Sequence, residues 1–120
     1  MRLTKELRDR TKAFASRVVR LYIALPGSRK EVEVLGHQLL RSGTSIAAHA
    51  REASRARSDA EFCSKIDVAL QEADESQLWL ELLRDDCGIS DSELEDLLTD
   101  SNELIAIFVT MVDRTRKRAA

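Results

Sequence analysis

Polar side chains that could bind an ion or transfer a proton follow one face of a predicted helix. They are spaced by three or four residues, the separation that brings side chains together on a helix surface: Gln38, Arg41, Ser45, His49 and Glu52. The next helical segment carries Glu72 and Glu75 near its middle. The two segments are joined near residue 57, so Arg41 and Glu75 lie at similar distances from the join. We therefore predict that Arg41 pairs with Glu75, or with Glu72, across two antiparallel helices.

This set of seven residues, the polar cluster, has three interpretations. A structural ion pair that fixes the register of the two helices is favoured over an interface or binding role. Both are favoured over catalysis. If the pair is partly buried, removing one partner should destabilise the fold by about 3–5 kcal/mol.

The same residues are the candidates for a metal centre. Di-iron bundles use a Glu from each of two helices and a Glu-x-x-His motif from each of the other two. Only His49-x-x-Glu52 and Glu72-x-x-Glu75 approach that pattern, and the first and last helices offer no inward Glu in register. We therefore expect neither a metal nor another cofactor. A metal-dependent or small-molecule enzyme that uses the bundle core is the alternative function.

Nucleophilic catalysis has one candidate, Cys63, which lies near the start of a predicted helix, a position at which reactive thiols occur. His49 is more than two turns away on another helix and is poorly placed to act as its base. We expect Cys63 to be a small, semi-buried residue. The phosphate-binding glycine motifs and the C-x-x-C motif are absent from the sequence. We predict no catalytic residues and no enzymatic activity.

The chain as a whole has the size and composition of one domain. It has 120 residues, of which 43% are hydrophobic and 33% are charged, with one proline and four glycines. A many-stranded β fold needs more turn residues than this. No apolar stretch is long enough to span a bilayer, and the charged N-terminus lacks the apolar region of a signal peptide. We expect a cytoplasmic protein without a membrane partner.

Residues that cap or end helices divide the chain into four predicted helices. Three S-x-x-E capping boxes begin at Ser28, Ser58 and Ser90. Pro26 with Gly27 ends the first segment and Gly88 ends the third, because glycine accepts the left-handed conformation that follows a helix. The predicted helices cover residues 3–25, 29–56, 59–87 and 91–117. Each has an apolar stripe of helical period, and the short connections make neighbours antiparallel. The sequence therefore predicts an all-α, up-down antiparallel four-helix bundle, a single domain over residues 1–120.

Residues 38–83 resemble the bacterial four-helix-bundle proteins known as 23S rRNA intervening-sequence proteins. The resemblance rests on Gln-Leu-x-Arg, Ser-Ile-x-Ala and a Phe-led helix with a Trp-Leu pair, carried here by these residues: Gln38, Leu39, Arg41, Ser45, Ile46, Ala48, Glu52, Phe62, Lys65, Ala69, Glu72, Ala73, Glu75, Ser76, Trp79 and Leu80. The Leu25-Pro26 turn also fits. His49 stands where the family has Asn, so this chain has no side-chain amide at that position.

The resemblance implies an up-down bundle that assembles into a homopentamer. It implies no enzymatic activity. A distant relative, the accessory protein of diversity-generating retroelements, binds nucleic acid through a basic surface. The resemblance therefore implies a fold and a self-associating scaffold or adaptor, with nucleic acid as a candidate partner.

Charge is sorted along the predicted bundle, although the formal net charge is only −2. The start of the first helix, the turn between the second and third, and the end of the fourth share one end. That end, the basic end, collects ten cationic residues: Arg2, Lys5, Arg8, Arg51, Arg55, Arg57, Arg114, Arg116, Lys117 and Arg118. One interpretation is that Arg114 to Arg118 only complement the dipole of the last helix. The other is a surface for RNA or DNA phosphates, with salt-dependent and sequence-tolerant binding.

Apolar residues exceed what one buried stripe per helix requires. Trp79 has leucine on both sides, and the fourth helix adds Ile107, Val109 and Met111 beside its core set. A second apolar stripe indicates a partner surface, and Trp is enriched at interface hot spots. We predict a homo-oligomer with Trp79 as the interface candidate. The alternative is that Trp79 covers the edge of the core.

Overall fold

The computed structural model describes residues 5–119, and these form four helices. They are α1 (Lys5–Ala24), α2 (Lys30–Ala53), α3 (Asp59–Asp85) and α4 (Ser92–Ala119). Each packs against its neighbours in the chain, and α1 also touches α4. The result is a rod of 51 × 20 × 20 Å. The predicted antiparallel four-helix bundle is confirmed. The predicted start of the first helix, residue 3, lies outside the described residues, and every other predicted boundary lies within three residues of the observed one.

The starts of α2, α3 and α4 lie within one residue of the predicted positions, but only α3 uses the predicted cap. Ser58 caps α3, and its hydroxyl accepts a hydrogen bond of 3.0 Å from the Glu61 N–H. At α2 the capping residue is Arg29, which makes no side-chain cap, so the capping role predicted for Ser28 is wrong. At α4 the Asp91 carboxylate, rather than Ser90, accepts from the Glu93 N–H at 2.8 Å.

The two glycines that were predicted to end helices differ in backbone conformation. Gly88 has φ of +70°, the left-handed conformation expected after a helix. Gly27 does not adopt positive φ, so the left-handed role predicted for it is wrong. Pro26 alone explains the end of α1, because proline disfavours helix at the residue before it.

Core side chains come from the apolar stripe of every helix. The largest fully buried ones include a phenylalanine from each of α1, α3 and α4: Phe14, Phe62 and Phe108. Leu39 and Ile46 contribute from α2. Cys63 and Cys87 are buried, free thiols.

Helices α1 and α2 approach each other closely at two glycines of α2. A Cβ atom at Gly43 would lie 2.9 Å from Val18 Cγ2, and one at Gly36 would lie 2.9 Å from Leu25 Cδ1. These two contacts fix how α1 and α2 are aligned. A residue of α1 and the residue of α2 at the same height have numbers that sum to about 61.

The register of α2 against α3 is fixed by a buried hydroxyl pair. The Ser42 and Ser76 hydroxyl oxygens are 2.7 Å apart, and both residues are fully buried. The Ser76 hydroxyl also donates to the Glu72 carbonyl at 2.8 Å. Buried hydroxyls need partners, and this pair gives each one a partner in a single register.

Candidate functional site

Arg41 lies between two carboxylates of α3. Its Nη1 is 3.3 Å from Glu72 Oε2, and its Nη2 is 2.9 Å from Glu75 Oε1. Its Nε also donates a longer hydrogen bond of 3.4 Å to Gln38 Oε1. Both pairings predicted for Arg41 are thus present at the same time, with Gln38 as a third partner.

The remaining members of the polar cluster do not join this network. The Glu52 carboxylate accepts from Lys65 Nζ at 2.8 Å. This bond lowers the pKa of Glu52 and raises the pKa of Lys65. His49 Nδ1 lies 2.9 Å from the Ser45 carbonyl, one turn back on the same helix, so that nitrogen is the one that donates. The single stripe therefore divides into an Arg41 network, a Glu52–Lys65 pair and a local His49 bond.

The exposure of the Arg41 network is uneven. Its guanidinium side chain is 48% exposed and Glu75 is 44% exposed, whereas Glu72 is only 13% exposed. Exposed ion pairs contribute about 0–1 kcal/mol. The expected 3–5 kcal/mol applies to a fully buried pair, so it overstates the effect of removing Arg41. The arrangement is suited to holding α2 and α3 in register, with one shielded carboxylate paired to the guanidinium.

No metal centre is assembled in the part of the chain that the structure describes, residues 5–119. No group of three or more His, Cys, Asp or Glu side chains there could hold an ion. His49 is hydrogen-bonded to the backbone of its own helix, and Glu52 is hydrogen-bonded to Lys65. The two candidate motifs, His49-x-x-Glu52 and Glu72-x-x-Glu75, therefore do not combine into a metal site.

Cys63 lies in a shallow groove at the basic end, between the start of α3 and the end of α4. The groove is also lined by Asp59, Thr115 and Arg116. Cys63 itself is 5% exposed. Asp59 and Arg116 take part in ion pairs along this seam. The groove thus holds a shielded thiol among side chains that tie α3 to α4.

Much of the charge at the basic end is neutralised by neighbouring carboxylates. Five of its cations are in ion pairs, namely Lys5 with Asp9, Arg57 with Glu61, Arg116 with Asp67, Lys117 with Asp113 and Arg118 with Asp59. Four others have no ion pair among residues 5–119: Arg8, Arg51, Arg55 and Arg114. Arg2 lies outside the described residues. The sequence could not separate these groups, because pairing depends on which side chains meet between helices.

The seam between α1 and α4 has a polar clamp that the sequence analysis missed. Asp100 accepts from Arg10 and lies 3.5 Å from Arg17 Nη1. Arg17 also donates to Glu93 at 2.6 Å, and Arg10 donates to Glu103 at 2.8 Å. Opposite charges at equal heights on the first and last helices are the signal that could have revealed it.

Trp79 packs against the edge of the core and is partly buried. Its indole N–H is shielded from solvent and has no acceptor within residues 5–119. The preceding residue, Leu78, is 46% exposed on the outer face of α3. Val109 on α4 is 50% exposed. Leu78 and Val109 are thus exposed members of the predicted second stripe, whereas Met111 and Trp79 pack against the core.

Among residues 5–119, no helix is both long enough and apolar enough to cross a bilayer.

Comparisons with known proteins agree with this architecture. The model of the family described as 23S rRNA-intervening sequence protein matches residues 5–110. A solved structure from Bacteroides thetaiotaomicron VPI-5482, described as a protein with unknown function from the S23 ribosomal protein family, is 41% identical, with a TM-score of 0.79. The match covers 88% of this chain and 96% of that chain. No curated protein matches the chain. The helical bundle and the sequence resemblance therefore lead to one conclusion, that the chain belongs to the 23S rRNA-intervening sequence protein family.

Proposed function

We propose that the protein is a non-enzymatic, self-associating scaffold or adaptor that works as a homo-oligomer. The observation that carries this proposal is the outer face of α3, where Leu78 is 46% exposed beside Trp79, whose indole N–H lacks an acceptor among residues 5–119. A second copy that covers Leu78 would remove this apolar side chain from water, which favours association. The sequence resemblance supports a homopentamer.

The proposal includes a cytoplasmic location and no enzymatic activity. Two buried free thiols, Cys63 and Cys87, suit a reducing compartment. The polar side chains best placed for chemistry are engaged with one another in ion pairs between helices. The alternative, an enzyme in the bundle core, lacks support because the core consists of apolar side chains and hydrogen-bonded hydroxyls.

Sedimentation velocity over a range of micromolar concentrations tests the assembly. We expect the wild-type protein to sediment as an oligomer and Leu78→Ser to shift toward the monomer. Ile23→Ser is the matched control, because Ile23 is 74% exposed but lies on α1. An unchanged Leu78→Ser oligomer would show that the α3 face is not the interface. A monomeric wild type would contradict self-association itself.

A second function is supported by the basic end, where Arg8, Arg51, Arg55 and Arg114 have no ion pair among residues 5–119. We propose that these cations contact the phosphates of RNA or DNA. Binding of this kind is steeply salt-dependent and tolerant of sequence. A mobility shift measured at two salt concentrations tests it, and we expect retention at low salt that is lost at high salt. Retention that is absent at low salt would exclude this function.

A further inference from the structure

Four of the unpaired cations lie at similar heights on two neighbouring segments, the first half of α1 and the end of α2. Across this seam, residues of equal height have numbers that sum to about 61, as the Val18–Gly43 and Leu25–Gly36 contacts show. Arg8 therefore lies level with Ala53, at the end of α2. By the same rule Lys12, one turn farther along α1, lies level with His49.

The cations at the end of α2 lie at heights similar to those of Arg8 and Lys12. Arg51 is in the last turn of α2, and Arg55 lies two residues beyond the end of that helix. Lys12, Arg51 and Arg55 are exposed, and Arg8 is half-buried. We call these four residues the basic groove. The sequence did not single out Lys12, because its height relative to Arg51 and Arg55 depends on how α1 and α2 are aligned.

Two carboxylates near the basic groove are engaged by other cations, whereas Glu6, in the first turn of α1, has no ion pair among residues 5–119. Asp9 forms an ion pair of 2.7 Å with Lys5. Glu52 is bound by Lys65 on the α3 side of α2. Among residues 5–119, none of the four groove cations forms an ion pair, so their charge is left for an external anion.

Arg8 shows that one of these cations is already held in place. Its Nε atom is shielded from solvent and has no hydrogen-bond acceptor within the described residues. A cation that is fixed before binding loses less side-chain entropy when an anion arrives. Arginine also presents a planar array of donors that matches phosphate oxygens.

The aromatic residues exclude a platform for stacked bases at this end. Phe14, Phe62 and Phe108 are fully buried in the core. Trp79 is partly buried on α3, and Tyr22 lies near the opposite end of α1. Single-strand binding proteins combine a basic groove with aromatic stacking. Within residues 5–119, this end of the bundle has cations that can contact phosphates but no aromatic side chains on which bases could stack.

We propose that the basic groove binds the phosphodiester backbone of duplex nucleic acid, with Arg8, Lys12, Arg51 and Arg55 as the phosphate contacts. This inference rests on the second proposed function and deepens it by naming the groove and the form of the nucleic acid. It also separates the cations of the basic end into those that contact phosphate and those that are already paired with carboxylates. Arg116 and Arg118, which are held by carboxylates of α3, contribute little.

Fluorescence anisotropy with labelled probes of one mixed sequence tests the groove. The probes are a DNA duplex, an RNA duplex and the corresponding single strands, each titrated at several salt concentrations. The groove variant is Arg8→Gln/Arg51→Gln. The matched control is Arg116→Gln/Arg118→Gln, which removes the same charge from the same end. Circular dichroism melting confirms that both variants are folded.

We expect the wild type to bind at least one duplex more tightly than its single strands. The groove variant should lose about tenfold or more in affinity, and its salt slope should fall by about 2 because two phosphate contacts are gone. The control should stay within about threefold of the wild type.

The opposing outcomes are distinct. Equal losses in the two variants would overturn the groove while leaving nucleic-acid binding intact. Tighter binding of a single strand would overturn the duplex assignment. A wild type that binds no probe at low salt would refute the second proposed function together with this inference.

Discussion

Arg41 and Glu72 form an ion pair whose two ends differ in exposure. The arginine side chain is 48% exposed, and the Glu72 side chain with which it pairs is 13% exposed. Their nearest nitrogen and oxygen atoms are 3.3 Å apart. The guanidinium thus pairs with a shielded carboxylate and with the more exposed Glu75 at the same time.

This asymmetry predicts unequal effects of mutation. Arg41→Met removes the cation that pairs with Glu72 and should destabilise the fold by about 1–2 kcal/mol, between the values for exposed and buried pairs. Glu75→Gln should have an effect of about 0–1 kcal/mol, because that carboxylate is half exposed. Adding Glu72→Gln to Arg41→Met should restore part of the loss. Urea denaturation measures all three, and an Arg41→Met protein as stable as the wild type would contradict the account.

Gly43 is predicted to be intolerant of even one added carbon. A Cβ there would meet three atoms of Val18 at 2.9, 3.0 and 3.2 Å. Both methyl groups and the Cβ of Val18 are involved, so a rotation of that side chain cannot clear the space. Overpacking of this kind outweighs the helix propensity that alanine gains over glycine. We expect Gly43→Ala to destabilise the bundle by about 1–2 kcal/mol.

Gly27→Ala is the control for this prediction, since nothing lies within 4 Å of a Cβ at Gly27. Thermal melting should show a lower Tm for Gly43→Ala and little change for Gly27→Ala. Equal melting temperatures of the two variants would show that α1 and α2 are not in close contact at Gly43.

The Glu52–Lys65 pair predicts a local dependence on pH. The hydrogen bond from Lys65 lowers the pKa of Glu52, so the bond contributes stability above the ordinary glutamate pKa of about 4.3. That contribution is lost as the pH falls through the lower pKa of the folded protein. Lys65→Met should raise the pKa of Glu52 toward its ordinary value. A carboxyl-detected NMR titration measures the shift, and an unchanged Glu52 pKa in the variant would exclude the bond as its cause.

Asp100 should be the most sensitive position of the α1–α4 clamp. It is 17% exposed and contacts both Arg10 and Arg17, whereas Glu103 is 59% exposed and contacts Arg10 alone. We expect Asp100→Asn to lower the free energy of unfolding by about 1–3 kcal/mol and Glu103→Gln by less than about 1 kcal/mol. Denaturation with and without added salt compares them. A larger effect from Glu103→Gln would contradict the geometry.

The architecture followed from the sequence because local and long-range signals agree. The buried positions Phe62, Ile66 and Ala69 keep helical spacing, and Ser58 makes its capping bond. The pairing of Arg41 could also be predicted, since two antiparallel helices joined by a short turn place residues at equal distance from the turn side by side.

Other features of the site depend on which side chains meet. Lys65 takes Glu52 out of the polar stripe, although both residues were visible in the sequence. Arg116 and Arg118 looked like free cations but are bound to Asp67 and Asp59 on α3. Gly27 was misread because the sequence does not reveal the backbone conformation after Pro26. Position along a helix was thus predictable, and the partner of each charged side chain was not.

The mass of the wild-type protein in solution tests the central claim, self-association, most directly. Light scattering coupled to size-exclusion chromatography, at micromolar concentration and moderate salt, gives this mass without a shape assumption. The chain has a mass of 13.5 kDa. The account predicts a stable species several times heavier, with a homopentamer as the expected state. A mass of 13.5 kDa that does not rise with concentration would contradict it.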